Sequence, residues 1–248
     1  MRAYALRALL WKETTQLGRN RTALLTATLL PALILFLAPI QVLIQSRFFG
    51  SASFEQIAAA PLPGLASITG PNELLLQVVY PLLFVLGGLL LPTLTTTYAI
   101  IAERERRSLE LLISLPVSVA EVLAAKILAV LIVTGLVGLP YVGLVITLLL
   151  VVGIADPSII PSLLMPFVAA VVCATSGSLL LTLLARDFRS ANNLNGAFMI
   201  PVVIIAAVPI MTVAGAARTY VLAALLLALA ALALLAATRW ITFERYLE

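Results

Sequence analysis

The sequence predicts an all-α integral membrane fold, with six transmembrane helices, an N-terminal interfacial helix and a short cytoplasmic helix between the second and third spans. Hydrophobic residues make up 62% of the chain and charged residues only 10%, with a mean hydropathy of +1.16, far outside the range of water-soluble domains. Six apolar stretches, near 22–45, 74–101, 121–152, 158–185, 193–213 and 219–240, each reach the roughly 20 residues a helix needs to cross a hydrocarbon core of about 30 Å. Positive charge is sorted between the loops. With both termini cytoplasmic, Arg2, Arg7, Lys12, Arg19, Arg21, Arg104, Arg106, Arg107, Lys126, Arg186, Arg189, Arg239 and Arg245 lie inside, and only Arg47 and Arg218 lie outside. That is the positive-inside pattern of an even number of spans. The net charge of +4 is therefore a topology signal and calls for no nucleic acid. Residues 1–248 read as a single membrane domain in contact with lipid.

Residues 2–19 carry Ala3, Leu6, Leu10 and Leu17 on one stripe and Tyr4 and Trp11 on another. Aromatic rings flanked by Arg and Lys suit the headgroup region, which predicts an elbow helix along the cytoplasmic face in preference to a frayed tail. Gly18 and Asn20 break it before the first span starts near Thr22. An outer loop follows over 46–73, punctuated by Pro61, Pro63, Gly64, Gly70 and Pro71, with Ser53 and Gln56 spaced to cap a short helix. Phe48, Phe49 and Phe54 fit an aromatic anchor at the interface, with a lid as the other reading.

The second span holds Gly87, Gly88 and Pro92, then Thr93, Thr95, Thr96 and Thr97. Hydroxyls beside a proline can refill the backbone hydrogen bonds that its ring breaks. They would equally give a weakly polar lining to a transport path at a subunit interface, and the two roles are compatible. The third span contains Pro140 and the fourth Pro166, so kinks or tilt are expected. The fourth also carries Cys173, the only cysteine, and the small run Thr175 to Ser178, which permits close helix approach. A polar knot, Arg186, Asp187 and Arg189 through Asn195, introduces the fifth span, with Ser190 or Asn192 as the expected cap. After a brief outer loop with Gly215 and Arg218, the sixth span is nearly pure Ala and Leu up to Arg239 and Trp240, a lipid-facing or scaffold helix.

Between the second and third spans lies the largest polar island, from Glu103 to Glu121. Leu109, Leu112 and Ile113 recur at i, i+3 and i+4, while Glu103 with Arg107 and Arg106 with Glu110 stand four apart. This is a short amphipathic helix supported by surface ion pairs. Pro116 ends it, and Ser118 with Glu121 forms the capping box of the next helix.

The chain lacks the groups of several chemistries. There is no histidine, hence neither the commonest metal ligand nor the commonest general base. No G-x-x-x-x-G-K-[ST] phosphate loop occurs, and no serine, cysteine or zinc hydrolase arrangement. Asp156 and Asp187, the only aspartates, fall on opposite sides of the membrane, which removes an aspartyl pair. Ionisable residues sit near span ends or in loops, whereas proton relays and ion-coupled carriers place them at the midplane. The sequence thus predicts a chain that is not an enzyme and binds no cofactor or metal. The first apolar run starts too late and runs too long for a cleavable signal peptide.

The island Glu103-Arg-Glu105-Arg-Arg-Ser108-Leu109-Glu110-Leu-Leu112-Ile-Ser-Leu-Pro116-Val-Ser118, followed by Glu121 and Lys126, resembles the cytoplasmic loop between the second and third spans of ABC transporter type-2 permeases. That family's pattern is close to E-x-E-x-G-[ST]-L-E-x-L-x-x-x-P-[VI]-[ST], then E and K. Trp11, Lys12 and Glu13 through Arg19 and Arg21, ahead of a first span with Pro31, also resemble the family's opening, and Arg189-Ser-Ala191 its later cytoplasmic turn. Arg107 stands where the family has glycine, which favours a helical local turn.

The resemblance implies the transmembrane subunit of an ATP-driven exporter in a prokaryotic plasma membrane, paired with a second copy or a paralogue. ABC ATPase subunits, which hold the ATP and Mg, would dock on the island as a coupling helix. Leu109, Leu112 and Ile113 would then fill a groove on the ATPase and Glu103, Glu105, Arg106 and Glu110 would set orientation at its rim. Ser108, Pro116 and Ser118 complete the motif, with Arg186, Asp187 and Arg189 as a second cytoplasmic contact. A haem-exporter-like permease of cytochrome maturation is an alternative, suggested by Lys126 and the run Val133 to Leu136, although such relatives have a shorter first outer loop. A stand-alone carrier would call for midplane polar groups or an internal repeat.

Overall fold

The computed structural model describes residues 7, 9–15, 33, 37–41, 44, 63–65, 68–105, 119–185 and 187–240. Among them the regular elements are all helical. Helix α1, Pro71–Leu74, passes through a π turn, Leu75–Val79, into α2, Tyr80–Glu105. Then come α3, Val119–Val151, a 3-10 turn Pro157–Ile159, α4, Ile160–Leu184, α5, Phe188–Thr212, and α6, Ala217–Trp240. Five stretches of the described residues are long and apolar enough to cross a membrane: Pro71–Ile101, Glu121–Val151, Pro157–Leu184, Phe188–Thr212 and Ala217–Ala237. Of the expected first span, 22–45, only 33, 37–41 and 44 are described, each helical, and the rest lies outside the described residues. Of the expected elbow, residues 7 and 9–15 are described and helical.

Two spans begin three or more residues earlier than hydropathy places them, for a local reason in each case. The second starts at Pro71 instead of 74, because a proline at the first helical position arrives with its φ already set. Glu73 then reaches back, accepting the Thr69 amide at 2.7 Å and the Thr69 hydroxyl at 2.7 Å, and takes a third hydrogen bond from Gln77 at 3.0 Å. The fifth starts at Phe188 instead of 193, because the residue that caps it is neither Ser190 nor Asn192 but Asp187.

Helix α4 is the axle of the bundle. One face, with Ala169, Ala170, Cys173 and Ala174, packs with Val85 and Leu89 of α2, Val202, Ala206 and Ile210 of α5, and Leu222, Leu226 and Ala230 of α6. The adjoining face, with Leu163, Phe167 and Val171, packs with Phe84 and Leu91 of α2 and Val142, Val145 and Leu149 of α3. Small residues set the spacing, because close backbone approach gives the van der Waals contact that holds helices together in lipid. A Cβ on Gly88 would stand 2.9 Å from the Phe167 carbonyl, and one on Gly138 would stand 2.6 Å from the Phe167 ring. Phe167 is thus seated between two glycines on two different spans.

At the end of the bundle remote from the island, Arg218 is fully buried in the first turn of α6. Its Nη2 donates to the Gly64 carbonyl at 2.9 Å and its Nε to the Gly215 carbonyl at 3.0 Å. The Gly64 amide donates to the Met211 carbonyl at 2.9 Å, and Leu65 and Ile68 are buried in the α2–α4–α5–α6 core. The part of the 46–73 loop nearest α1 is thereby bolted to the turn between α5 and α6. Gly215 holds that turn at φ +69°, a conformation open chiefly to glycine.

Candidate functional site

The second span carries the island. Helix α2 continues as regular helix past the apolar stretch to Glu105, so Glu103 and Glu105 lie on its last turn, and α3 starts again at Val119. Arg106, Ser108, Leu109, Glu110, Leu112, Ile113, Pro116 and Ser118 fall in 106–118, outside the described residues, as does Arg186. What the structure describes is the platform on which this segment is mounted: the end of α2, the start of α3, the end of α4, the start of α5 and the N-terminal helix.

The knot between α4 and α5 is docked on the end of α2. Phe188 stacks on Tyr98 with ring centroids 4.9 Å apart at 43°, and it packs against a small buried cluster of Ile101, Ala185 and Ala191. Local chemistry sets the geometry of the turn. Ala185 leaves the helical region at ψ 146° and ends α4, and Asp187 accepts the Ser190 amide at 2.6 Å while its own amide donates to the Ser190 hydroxyl at 3.2 Å. This reciprocal capping box starts α5. Asp187 and Arg189 are exposed on that turn, so two of the three residues expected as a second contact are placed beside the helix end that leads into the island.

Hydrogen bonds from Ser190, its amide first and then its hydroxyl, hold the Asp187 carboxyl below the usual carboxylate range. A carboxyl depressed in the folded state contributes stability that is full above its unfolded pKa and is lost as pH falls through the folded value. Protection of amides 188–191, taken relative to their intrinsic exchange rate at each pH, is therefore expected to fall in acid below that range. Asp187→Asn, which keeps a capping oxygen without a titrating group, is expected to flatten this pH dependence; an equally steep profile in the variant would contradict the assignment.

One turn deeper, Asn195 ties three spans together. Its Nδ2 donates to the Thr97 hydroxyl of α2 at 2.9 Å and to the Thr182 hydroxyl of α4 at 3.1 Å, and all three residues are buried. Sequence reading places Asn195 in the polar knot only. The signal for its role is its spacing, four residues after buried Ala191 and seven before buried Val202 on one face of α5. Asn195→Leu removes the donor to two buried hydroxyl oxygens, and interhelical hydrogen bonds in membranes contribute about 0.6 kcal/mol each, up to roughly 1.7. A loss of thermal stability of about 1–2 kcal/mol is expected, read as earlier aggregation on heating in detergent.

All four threonines of the second span are buried within the single chain. Thr93, Thr95 and Thr97 donate to the carbonyls of Leu89, Leu91 and Thr93 at 2.6, 2.8 and 2.8 Å. They do not refill the bond broken by Pro92. Its missing amide leaves the Gly88 carbonyl, whereas a hydroxyl folding back four residues from Thr93 reaches only the next carbonyl along. Among the described residues, the Thr96 hydroxyl has no hydrogen-bond partner.

The N-terminal helix joins the same platform. Leu9 shares a buried cluster with Ile100 of α2, Val122, Leu123 and Ala125 of α3, and Leu179 of α4. Glu13 and Lys126 form an ion pair at 3.3 Å with both side chains almost wholly buried. Sequence reading places Lys126 after the island and Glu13 in the opening run and does not join them, because no local pattern announces a partner 113 residues away.

Among the described residues, no group of three or more His, Cys, Asp or Glu stands close enough to hold a metal ion. The arrangement is one of long helices whose ends on the island side are packed on one another. The family model described as ABC-2 family transporter protein matches residues 7–243, nearly the whole chain. No curated protein and no solved structure gives a match.

Proposed function

We propose, for a chain that belongs to the ABC-2 family of transporter proteins, that it is the transmembrane subunit of an ATP-driven exporter, moved by ATPase subunits that dock on its 103–115 helix. Membership makes it a multi-pass membrane protein and a transport component that is not itself catalytic. The family normally works with ABC ATPase partners. In this reading the island end of the bundle is cytoplasmic, both termini lie on that side in a prokaryotic plasma membrane, and a second copy or a paralogue completes the path. ATP and Mg sit in the partner.

The observation that carries the proposal is the docking of Phe188 on Tyr98 at the foot of the helix that leads into the island. Closure of an ATPase pair does work on a membrane domain only through a stiff contact, and an island mounted between two long helices supplies one. Leu109, Leu112 and Ile113 fill a groove on the ATPase, Glu103, Glu105, Arg106 and Glu110 orient it at the rim, and Ser108, Pro116 and Ser118 shape the helix and its end. Arg186, Asp187 and Arg189 make the second contact from the adjoining turn. Thr93, Thr95, Thr96 and Thr97 line the path only when the surrounding helices part, since they are enclosed within the single chain. Affinity purification of the tagged, full-length chain from its native membrane tests the reading. An ABC ATPase is expected to co-purify, and consistent recovery of the chain without one contradicts the proposal.

A further inference from the structure

From the buried contact between Glu13 and Lys126 we infer that these are positioning residues: their ion pair makes the N-terminal helix travel with the third span, so that displacement of the island is carried into that helix. The part of this statement that concerns displacement rests on the coupling reading above. The match between the two helices has two rungs. Leu9 and Glu13 are four apart on one face of the N-terminal helix, and Val122 and Lys126 are four apart on one face of α3. Leu9 and Val122 fall in one apolar cluster, and Glu13 meets Lys126 at 3.3 Å. The apolar rung is non-directional and tolerates sliding. The charged rung does not, because a slip of one residue would leave two desolvated charges apart.

Both carboxylate oxygens are engaged. Oε2 of Glu13 faces Lys126, and Oε1 faces Lys12 at 3.4 Å, whose side chain is 39% exposed against 2% for Lys126. Lys126 stands seven residues beyond Val119, about 10 Å along the axis of α3 from its first residue. On the other side of the N-terminal helix, Trp11 is 76% exposed. One face of this helix is therefore locked to α3 and the opposite face is turned outward.

Hydrogen exchange in the full-length chain, reconstituted in lipid nanodiscs with its co-purified ATPase, tests the inference. Glu13→Gln and Lys126→Gln are each expected to speed exchange of amides 9–15 by roughly tenfold or more, as expected when one partner of a buried pair is removed. The double variant is expected to gain no more than either single one, the mark of two groups acting as a unit. Exchange across 160–184 serves as the folding control, and Lys126→Arg, which keeps the charge, is expected to preserve slow exchange. Unchanged exchange in the single variants, or effects that simply multiply in the double, overturn the joint. With ATP trapped by vanadate on the ATPase, the wild type is expected to change exchange at both 9–15 and 119–126, and Glu13→Gln at 119–126 alone. A wild-type response at 9–15 that persists in Glu13→Gln overturns the transmission. Absence of any nucleotide response in the wild type defeats the coupling reading instead, and the nucleotide-free cycle then decides the joint.

Discussion

Leu112→Asp is expected to abolish ATP-driven transport while leaving the spans folded and the chain in the membrane. Leu112 lies in the centre of the apolar stripe Leu109, Leu112 and Ile113, and in the proposed docking a carboxylate there would have to enter a desolvated groove without a partner. Loss of a central anchor at an interface costs about 2–4 kcal/mol, which is roughly a 30- to 1,000-fold weaker contact. Hydrolysis by the partner ATPase should then proceed at its uncoupled rate. The measurement is ATPase recovery on the tagged variant, together with the ATP-dependent response of 119–126 described above. Wild-type recovery and response would remove Leu112 from the contact. Leu112→Met, close in volume, is expected to behave as the wild type.

Arg218→Met is expected to give the largest loss of stability at the opposite end of the bundle. The guanidinium is fully buried and holds the Gly64 and Gly215 carbonyls at 2.9 and 3.0 Å. A methionine retains the apolar stem and leaves both carbonyls without that donor, a cost of about 2–3 kcal/mol. Thermal inactivation should shift down by roughly 5–10 °C for a chain of this size. Gly64→Ala probes the same bolt from the other side, because its Cβ would meet the backbone of Ile210 and Met211 at 2.6 Å and backbone cannot swing aside. Both variants should loosen the 63–70 segment and leave the island end unaffected. An unshifted inactivation temperature in both would show that the bolt carries no load.

The spans were legible in the sequence because crossing a membrane imposes length and apolarity on each helix separately. Five of the expected stretches recur within a few residues, and the largest shift, at α5, arises where a local cap, Asp187 with Ser190, outvotes hydropathy. What was not legible are the contacts that join the helices. Arg218 finds Gly64 across 154 residues, Glu13 finds Lys126 across 113, and Asn195 finds Thr97 across 98. Each choice of partner is decided by tertiary packing, and no spacing along the chain encodes it. Arg218 accordingly reads as a loop charge and Asn195 as part of the polar knot. The island is the reverse case, since its pattern is the most specific in the chain while residues 106–118 lie outside the described structure.

The most direct measurement is a photo-crosslink from the island itself. With a photoreactive amino acid in place of Leu109 in the full-length chain, irradiation of native membranes should yield an adduct with a nucleotide-binding ABC ATPase and leave the site shielded from impermeant reagents added outside. Labelling of that position from the outer side, or irradiation that yields adducts to lipid and to no ATPase, would contradict the account.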